Sequence, residues 1–236
     1  MPNSAIQSYA DIKGWFFWAD RTMFDSILAS QQTPGTLVEL GAYLGRSAVI
    51  IGDHVRPGER FVVIDLFGSD ADLGESSEAT ANRAENRYSY ATLTRQEFER
   101  NYLALHDELP EVVQALSSVV TDHVEPGTVR FLHIDASHLY PQVAQDIRSA
   151  RTVLQPEGVV VLDDYTNPNT PGVAGAVWEA VASHGLVPFA VTQHKMYGTW
   201  GDPAKYLDTV RAFVAGEDRI GCSEQHVMGH TVLRLK

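Results

Sequence analysis

Cysteine is nearly missing from this chain. Cys222 stands alone among 236 residues, so no intrachain disulfide can form and a reducing cytoplasm is the simple expectation. Basic residues are short as well: 18 Lys and Arg stand against 30 Asp and Glu, for a formal net charge of −12. They do not cluster, and phosphate backbones need a basic face, so nucleic acid is not an expected partner. Long apolar runs are absent too. The densest patch, GWFFWA at 14–19, is far shorter than the roughly 18 residues of a membrane span, so no membrane partner is expected. The opening MPNSAIQSYADIK carries neither the basic start nor the apolar stretch of a secretory signal. These absences leave a cytoplasmic protein. Its length suffices to bury a core in one domain, 1–236, without disulfides or a structural metal.

What is present is a pattern that keeps switching between short apolar runs and helical periodicity. TLVEL (36–40), RFVVIDL (60–66), EVVQAL (111–116), VRFLHID (129–135) and GVVVLDD (158–164) read as strands. Their β-branched interiors lack alternation, the mark of parallel strands buried on both faces. Helical patterns fill the gaps. In 139–154, Val143, Ile147, Ala150 and Leu154 recur at helical spacing, with Gln142, Asp146 and Arg148 off that stripe. Two further strands in VPFAVTQHKMYGTW (187–200) meet near Lys195. The reading is α/β: a doubly wound, Rossmann-like sheet of seven mostly parallel strands with helices on both faces. An N-terminal helical cap (1–35) precedes it. A C-terminal extension (201–236) follows, with a helix over 203–214 and a last strand, HTVLRLK, that would suit a homodimer contact. Residues 68–91 are polar and nearly devoid of large aliphatics, and they leave from the carboxyl end of the second strand. They read as a lid, within an insertion spanning 68–108, or as disorder.

VELGAYLGRSA (38–48) is the most informative stretch. A strand runs into Gly41, a turn follows, and a helix begins near Gly45. Glycines there let the backbone pass close to a ligand, and a helix start offers N–H groups to an anion. The G-x-x-x-G spacing lacks the second glycine that makes room for a pyrophosphate, which counts against a nicotinamide-dependent oxidoreductase. Glu39, the acid before the turn, suits a ligand bearing an ammonium or sulfonium. Asp65 ends the next strand, where an acid takes ribose hydroxyls in nucleotide-binding α/β folds. The plain alternative is that both acids merely end strands.

At these residues the chain resembles the class I S-adenosylmethionine-dependent methyltransferases. The E-x-G-x-x-x-G-x-S pattern of 39–47 is similar to their first motif, Asp65 to their second, and LQPEGVVVLDDY (154–165) to their fifth strand and its preceding turn, with Glu157 in place of a usual glycine. GRS (45–47), IDASH (134–138) and LDDY (162–165) resemble a subgroup of small metal-assisted O-methyltransferases acting on sugars and natural products. The likeness covers roughly residues 13–200. It implies that Gly41 and Tyr43 approach the methionine part of S-adenosylmethionine and that Ser47 bonds its carboxylate. It further implies that Glu39 takes the amino group, Asp65 the ribose hydroxyls, and Ser117 the adenine.

The same resemblance gives the acids at the ends of the fourth and fifth strands a task. A divalent cation such as Mg²⁺ lowers the pKa of a hydroxyl bound to it, and a base then collects the proton. Neighbouring strands lie about 4.8 Å apart, so Asp135, Asp163 and Asp164 can converge on one ion. Successive strand residues point to opposite faces, however, so Asp163 and Asp164 both ligate only if the chain has already turned at Asp163. The position three residues after Asp135 is the base in the metal-dependent relatives. Here it is His138, whose unperturbed pKa near ~6.5 suits the role. His138 as an extra metal ligand, or as a helix-start residue bonding backbone, stays open, as does metal-free chemistry. The expected partner is a small hydroxylated molecule, sugar or phenol. A silent cofactor-binding protein is the alternative outside catalysis.

Overall fold

A computed structural model describes residues 6–69, Thr80 and 93–236. The chain order is α1 (Trp18–Ser30), β1 (Thr36–Leu40), α2 (Arg46–Gly52), β2 (Phe61–Asp65), α3 (Arg95–Leu103), β3 (Glu111–Gln114) and α4 (Val120–His123). There follow β4 (Val129–Ile134), α5 (Tyr140–Val153), β5 (Leu154–Leu162), α6 (Pro171–Ser183), β6 (Val187–Val191), β7 (Met196–Thr199), α7 (Ala204–Ala215), β8 (Cys222–Val227) and β9 (His230–Leu235).

The strands form one sheet in the order β3-β2-β1-β4-β5-β7-β6-β9-β8. β3, β2, β1, β4 and β5 are mutually parallel. β7 runs against both β5 and β6. The doubly wound α/β reading holds, but among the described residues the sheet has nine strands rather than seven. The two strands of the C-terminal segment join it, β9 parallel to β6 and β8 antiparallel to β9. β8 escaped the sequence because CSEQHV is polar and mostly exposed, as suits an edge strand with no layer over it.

Side-chain alternation sorts the core into two layers. Leu37, Val63, Phe131, Val159 and Val161 face Met23, Phe24 and Ile27 of α1. Val38, Ile64, Leu132, Val160 and Leu162 face Val143 and Ile147 of α5 and Val173 and Val177 of α6. By the same period of two, Glu39 and His133 fall on the α1 side, and Asp135 and Asp163 continue that side just past their strands. That parity decides what the site contains.

Most of the proposed lid, 70–79 and 81–92, lies outside the described residues. Within the 68–108 insertion, past the lid, lies α3, which buries Phe98 and Tyr102 against the body of the protein. Asn101 donates to the Leu44 carbonyl at 3.0 Å, fixing the turn after β1.

Arg130 is fully buried near the start of β4, away from the strand ends that carry the candidate site. It donates to both oxygens of Glu59 at 2.8 and 2.9 Å, to Gln31 and to the His54 carbonyl. Removing one partner of such a pair strands the other charge in the interior. Arg130→Met is therefore expected to destabilise the protein by about 3–5 kcal/mol in urea unfolding. A loss below about 1 kcal/mol would show that Glu59 is rehydrated without it.

Candidate functional site

A cavity of about 730 Å³ opens at the carboxyl ends of the parallel strands, where open α/β sheets bind ligands. Every sequence-predicted site residue lines it except Glu39, which lies fully buried behind the wall. Gly41, Tyr43, Ser47, Asp65, Ser117, Asp135, His138, Asp163 and Asp164 are thus brought together.

The turn after β1 is held by Asp65. One carboxylate oxygen accepts the N–H groups of Ala42 and Tyr43 at 2.7 and 2.9 Å, and the other accepts that of Phe67 at 2.6 Å. Burial raises the Asp65 pKa and these three bonds pull it back. The acid read as a ribose clamp is thus first the organiser of its own loop. Tyr43 adopts a left-handed conformation there, φ +50°, a strained state for a bulky residue. Gly41 is glycine for a reason other than ligand approach. A Cβ at this residue, φ +81°, would stand 2.2 Å from the Asp135 carbonyl oxygen. A Cβ at Gly45 would stand 3.1 Å from the Phe98 ring.

Glu39 reaches Ser47 and His133. Ser47 donates its hydroxyl to one Glu39 oxygen at 2.5 Å, and His133 Nδ1 lies 2.8 Å from the same atom. With its single proton given to Glu39, the Ser47 hydroxyl does not donate to a ligand carboxylate in this arrangement. The second Glu39 oxygen is buried without a hydrogen-bond partner among the described residues. Burial pushes the Glu39 pKa up to about 8. Beyond β3, Ser117 starts a short 3-10 turn. Asp146 lies beside it and is buried despite falling off the apolar stripe of α5. Burial pushes its carboxyl up to about 7, with the Ser117 hydroxyl pulling the other way.

At the ends of β4 and β5 two pairs replace the expected single cluster. β5 stops at Leu162, and Asp164 turns left-handed, φ +56°. The chain has therefore turned where the sequence required it to, yet the two acids part. Asp164 Oδ2 lies 3.2 Å from His138 Nε2, and that bond lowers the Asp164 pKa. Asp163 Oδ2 meets Lys195 Nζ at 2.5 Å, with Lys195 only 1% exposed. Lys195 Nζ is also 3.0 Å from His133 Nε2. Burial opposes the charge on Asp163 most strongly, but Lys195 and His133 together hold that carboxyl below the usual range. Burial and the Asp163 charge push Asp135 well above it. Burial, reinforced by Lys195, keeps His133 neutral.

His133 and Lys195 were not singled out as chemistry from sequence. One signal was available: His133 shares strand parity with Asp135, and the register pairs it with Glu39 across β1. Lys195 carried no such mark, because its place depends on a hairpin turn. Thr192 N–H bonds the Lys195 carbonyl at 2.9 Å, and the Thr192 hydroxyl takes the Lys195 N–H at 2.9 Å.

These residues can be tested against the two groups the resemblance implies. The methyl donor fits. A carboxylate at Asp65 and a roomy cavity beside it match a ribose and an adenosine, with Glu39 set behind the wall. A divalent ion does not fit. Among the described residues, His133, Asp135 and Asp163 are the three whose ligand atoms converge, and Asp164 is not among them. Both nitrogens of His133 are engaged, and Lys195 already stands between His133 and Asp163.

Among known families, the model described as a methyltransferase domain matches residues 38–165, more than half of the chain. No curated protein matches. Similar solved structures include the O-methyltransferase NovP, at 21% identity and TM-score 0.61, covering 77% of this chain and 78% of that one. CalS11, a TDP-rhamnose 3'-O-methyltransferase of calicheamicin biosynthesis, is 20% identical with TM-score 0.53, covering 78% and 80%. Cofactor-bound Rv0187 from MTB is 13% identical with TM-score 0.50, covering 82% and 85%. At these identities the likeness is one of fold.

A carboxyl whose pKa rises on folding stabilises the protein fully below its ordinary value, and the stabilisation is lost as pH climbs through the folded value. For Glu39 that window runs from 4.5 to about 8. The melting-temperature difference between Glu39→Gln and the parent should therefore move in the variant's favour across it. A difference that stays constant with pH removes the buried-acid account.

Proposed function

The chain belongs to the methyltransferase domain family, and from that premise we propose an S-adenosylmethionine-dependent O-methyltransferase of a small hydroxylated molecule, with His138 as its base. One observation carries the reading. The imidazole of His138, held by Asp164, opens on the same cavity as the Gly41–Tyr43 turn and Asp65.

S-Adenosylmethionine supplies an electrophilic methyl group on a sulfonium. Glu39 lies behind the cavity wall and would bear on the donor's amino group through Ser47, whose hydroxyl it holds, and Asp65, with three of about four lone-pair sites already taken, would accept from one ribose hydroxyl. Ser117, which lines the cavity beside Asp146, would be the residue to contact the adenine. Gly41 and Tyr43 shape the methionine end. With the methyl group supplied by the donor, His138 would take the hydroxyl proton of the acceptor. Asp164 orients that imidazole and stabilises the imidazolium that results, as the carboxylate of a His–Asp pair does. The Mg²⁺ of the resemblance has no step here, for the reasons of geometry given above.

The acceptor side has an aromatic character. Trp15 is 61% exposed and stacks on Tyr43 with centroids 5.6 Å apart. Phe17 stacks on His194 at 4.2 Å. Flat apolar faces beside polar Asn167 and Thr170 suit a sugar-bearing or phenolic molecule. NovP and CalS11, both O-methyltransferases, are in keeping with that class.

Isothermal titration with S-adenosylhomocysteine should give one site per chain, and Asp65→Asn should weaken it. Lack of binding at high micromolar ligand ends the proposal. For His138→Gln the expected outcome is a rate lower by about 10²–10⁴-fold that recovers as pH rises, with cofactor binding kept. An unchanged rate at neutral pH would remove His138 as the base.

A further inference from the structure

We propose that Lys195 is the resident cation of this site: its ammonium holds the ground among Asp163, Asp135 and His133 that a divalent ion would need, and the enzyme works with no tightly bound metal. The second clause rests on the methyltransferase reading; the first does not.

The argument is one of space, donors and charge. An ammonium has three donors and no acceptor. Two of its contacts are resolved, Asp163 Oδ2 at 2.5 Å and His133 Nε2 at 3.0 Å. His133 is neutral, so Nε2 accepts while Nδ1–H donates to Glu39. A chain of alternating donor and acceptor therefore runs Lys195, His133, Glu39. It is complete without an ion. His133 has no nitrogen left to ligate one.

Lys195 is also fixed in place from its other side. Its nitrogen lies 5.3 Å from the centre of the Phe16 ring, a cation–π approach. Thr192, which pins the turn, donates to Asp20 at 2.7 Å, and Tyr197 donates to the same Asp20 oxygen at 2.9 Å. Asp20, Asp135 and Asp163 all act to keep the lysine charged, against the burial that would discharge it. An ion placed among these ligands would meet a fixed positive charge at contact range. That repulsion grows with the charge of the ion and is least screened where both charges are buried. Lys195 does not line the cavity, so it is a positioning residue: it sets the charge on Asp163 and the acid wall above it, and does not touch the acceptor.

The test is Mn²⁺ titration followed by electron paramagnetic resonance, which needs no catalysis. The parent protein and Asp135→Asn should take up Mn²⁺ equally weakly. Lys195→Met should gain at least about tenfold in Asp135-dependent Mn²⁺ affinity. Stoichiometric, Asp135-dependent Mn²⁺ binding by the parent protein overturns the proposal. So does a folded Lys195→Met that gains nothing. Should Lys195→Met fail to fold, the parent decides: no Asp135-dependent binding, with turnover intact in EDTA, supports the proposal, and turnover abolished by EDTA and restored by Mg²⁺ overturns it. Failure to bind S-adenosylhomocysteine would strike the methyltransferase reading and leave the Mn²⁺ result standing.

Discussion

The Lys195 ammonium and the Asp163 carboxylate meet where water hardly reaches, and the surrounding geometry answers to that meeting. Burying either charge alone costs several kcal/mol, so the pair persists only with further hydrogen bonds around it. Those bonds come from different parts of the chain: His133 from β4 touches the ammonium, the Thr192 turn carries it, and Asp20 of α1 holds the turn. A lysine from a hairpin late in sequence thereby locks the ends of β4 and β5 and the first helix into one arrangement. The acids facing the cavity inherit their charges from it. Asp163 stays ionised, and Asp135 beside it holds its proton more tightly.

Much of this was legible in the chain. The five parallel strands announced themselves because buried β-branched runs have few other fates. The acids at their ends stood out because a carboxylate ending such a run is unusual unless it has a partner. The edge strand at 222–227 was not legible, since its polar residues obey backbone pairing alone. Asp146 was misplaced for a related reason: helical periodicity marks apolar residues, whereas its burial comes from packing beside Ser117.

The parting of Asp163 and Asp164 is the instructive case. Strand alternation said that the two could not share one face, and a turn was needed to bring them together. The turn is there, and it sends Asp164 to His138. Sequence carried the constraint but not the competitor, because Lys195 lies more than thirty residues downstream and reaches the site only through the β5–β7 and β6–β7 pairings. A resemblance built on motif residues shares that blind spot: it transfers the ligands and not what stands among them.

Gly41, with no room for even one methyl group against the Asp135 carbonyl, has a consequence for how this protein can change over evolutionary time. It welds the turn after β1 to the end of β4 through main chain alone. Loops around the rim are free to diverge and recruit new molecules. The distance between that turn and the acid wall is set deeper, by backbone against backbone, and would survive such diversification untouched.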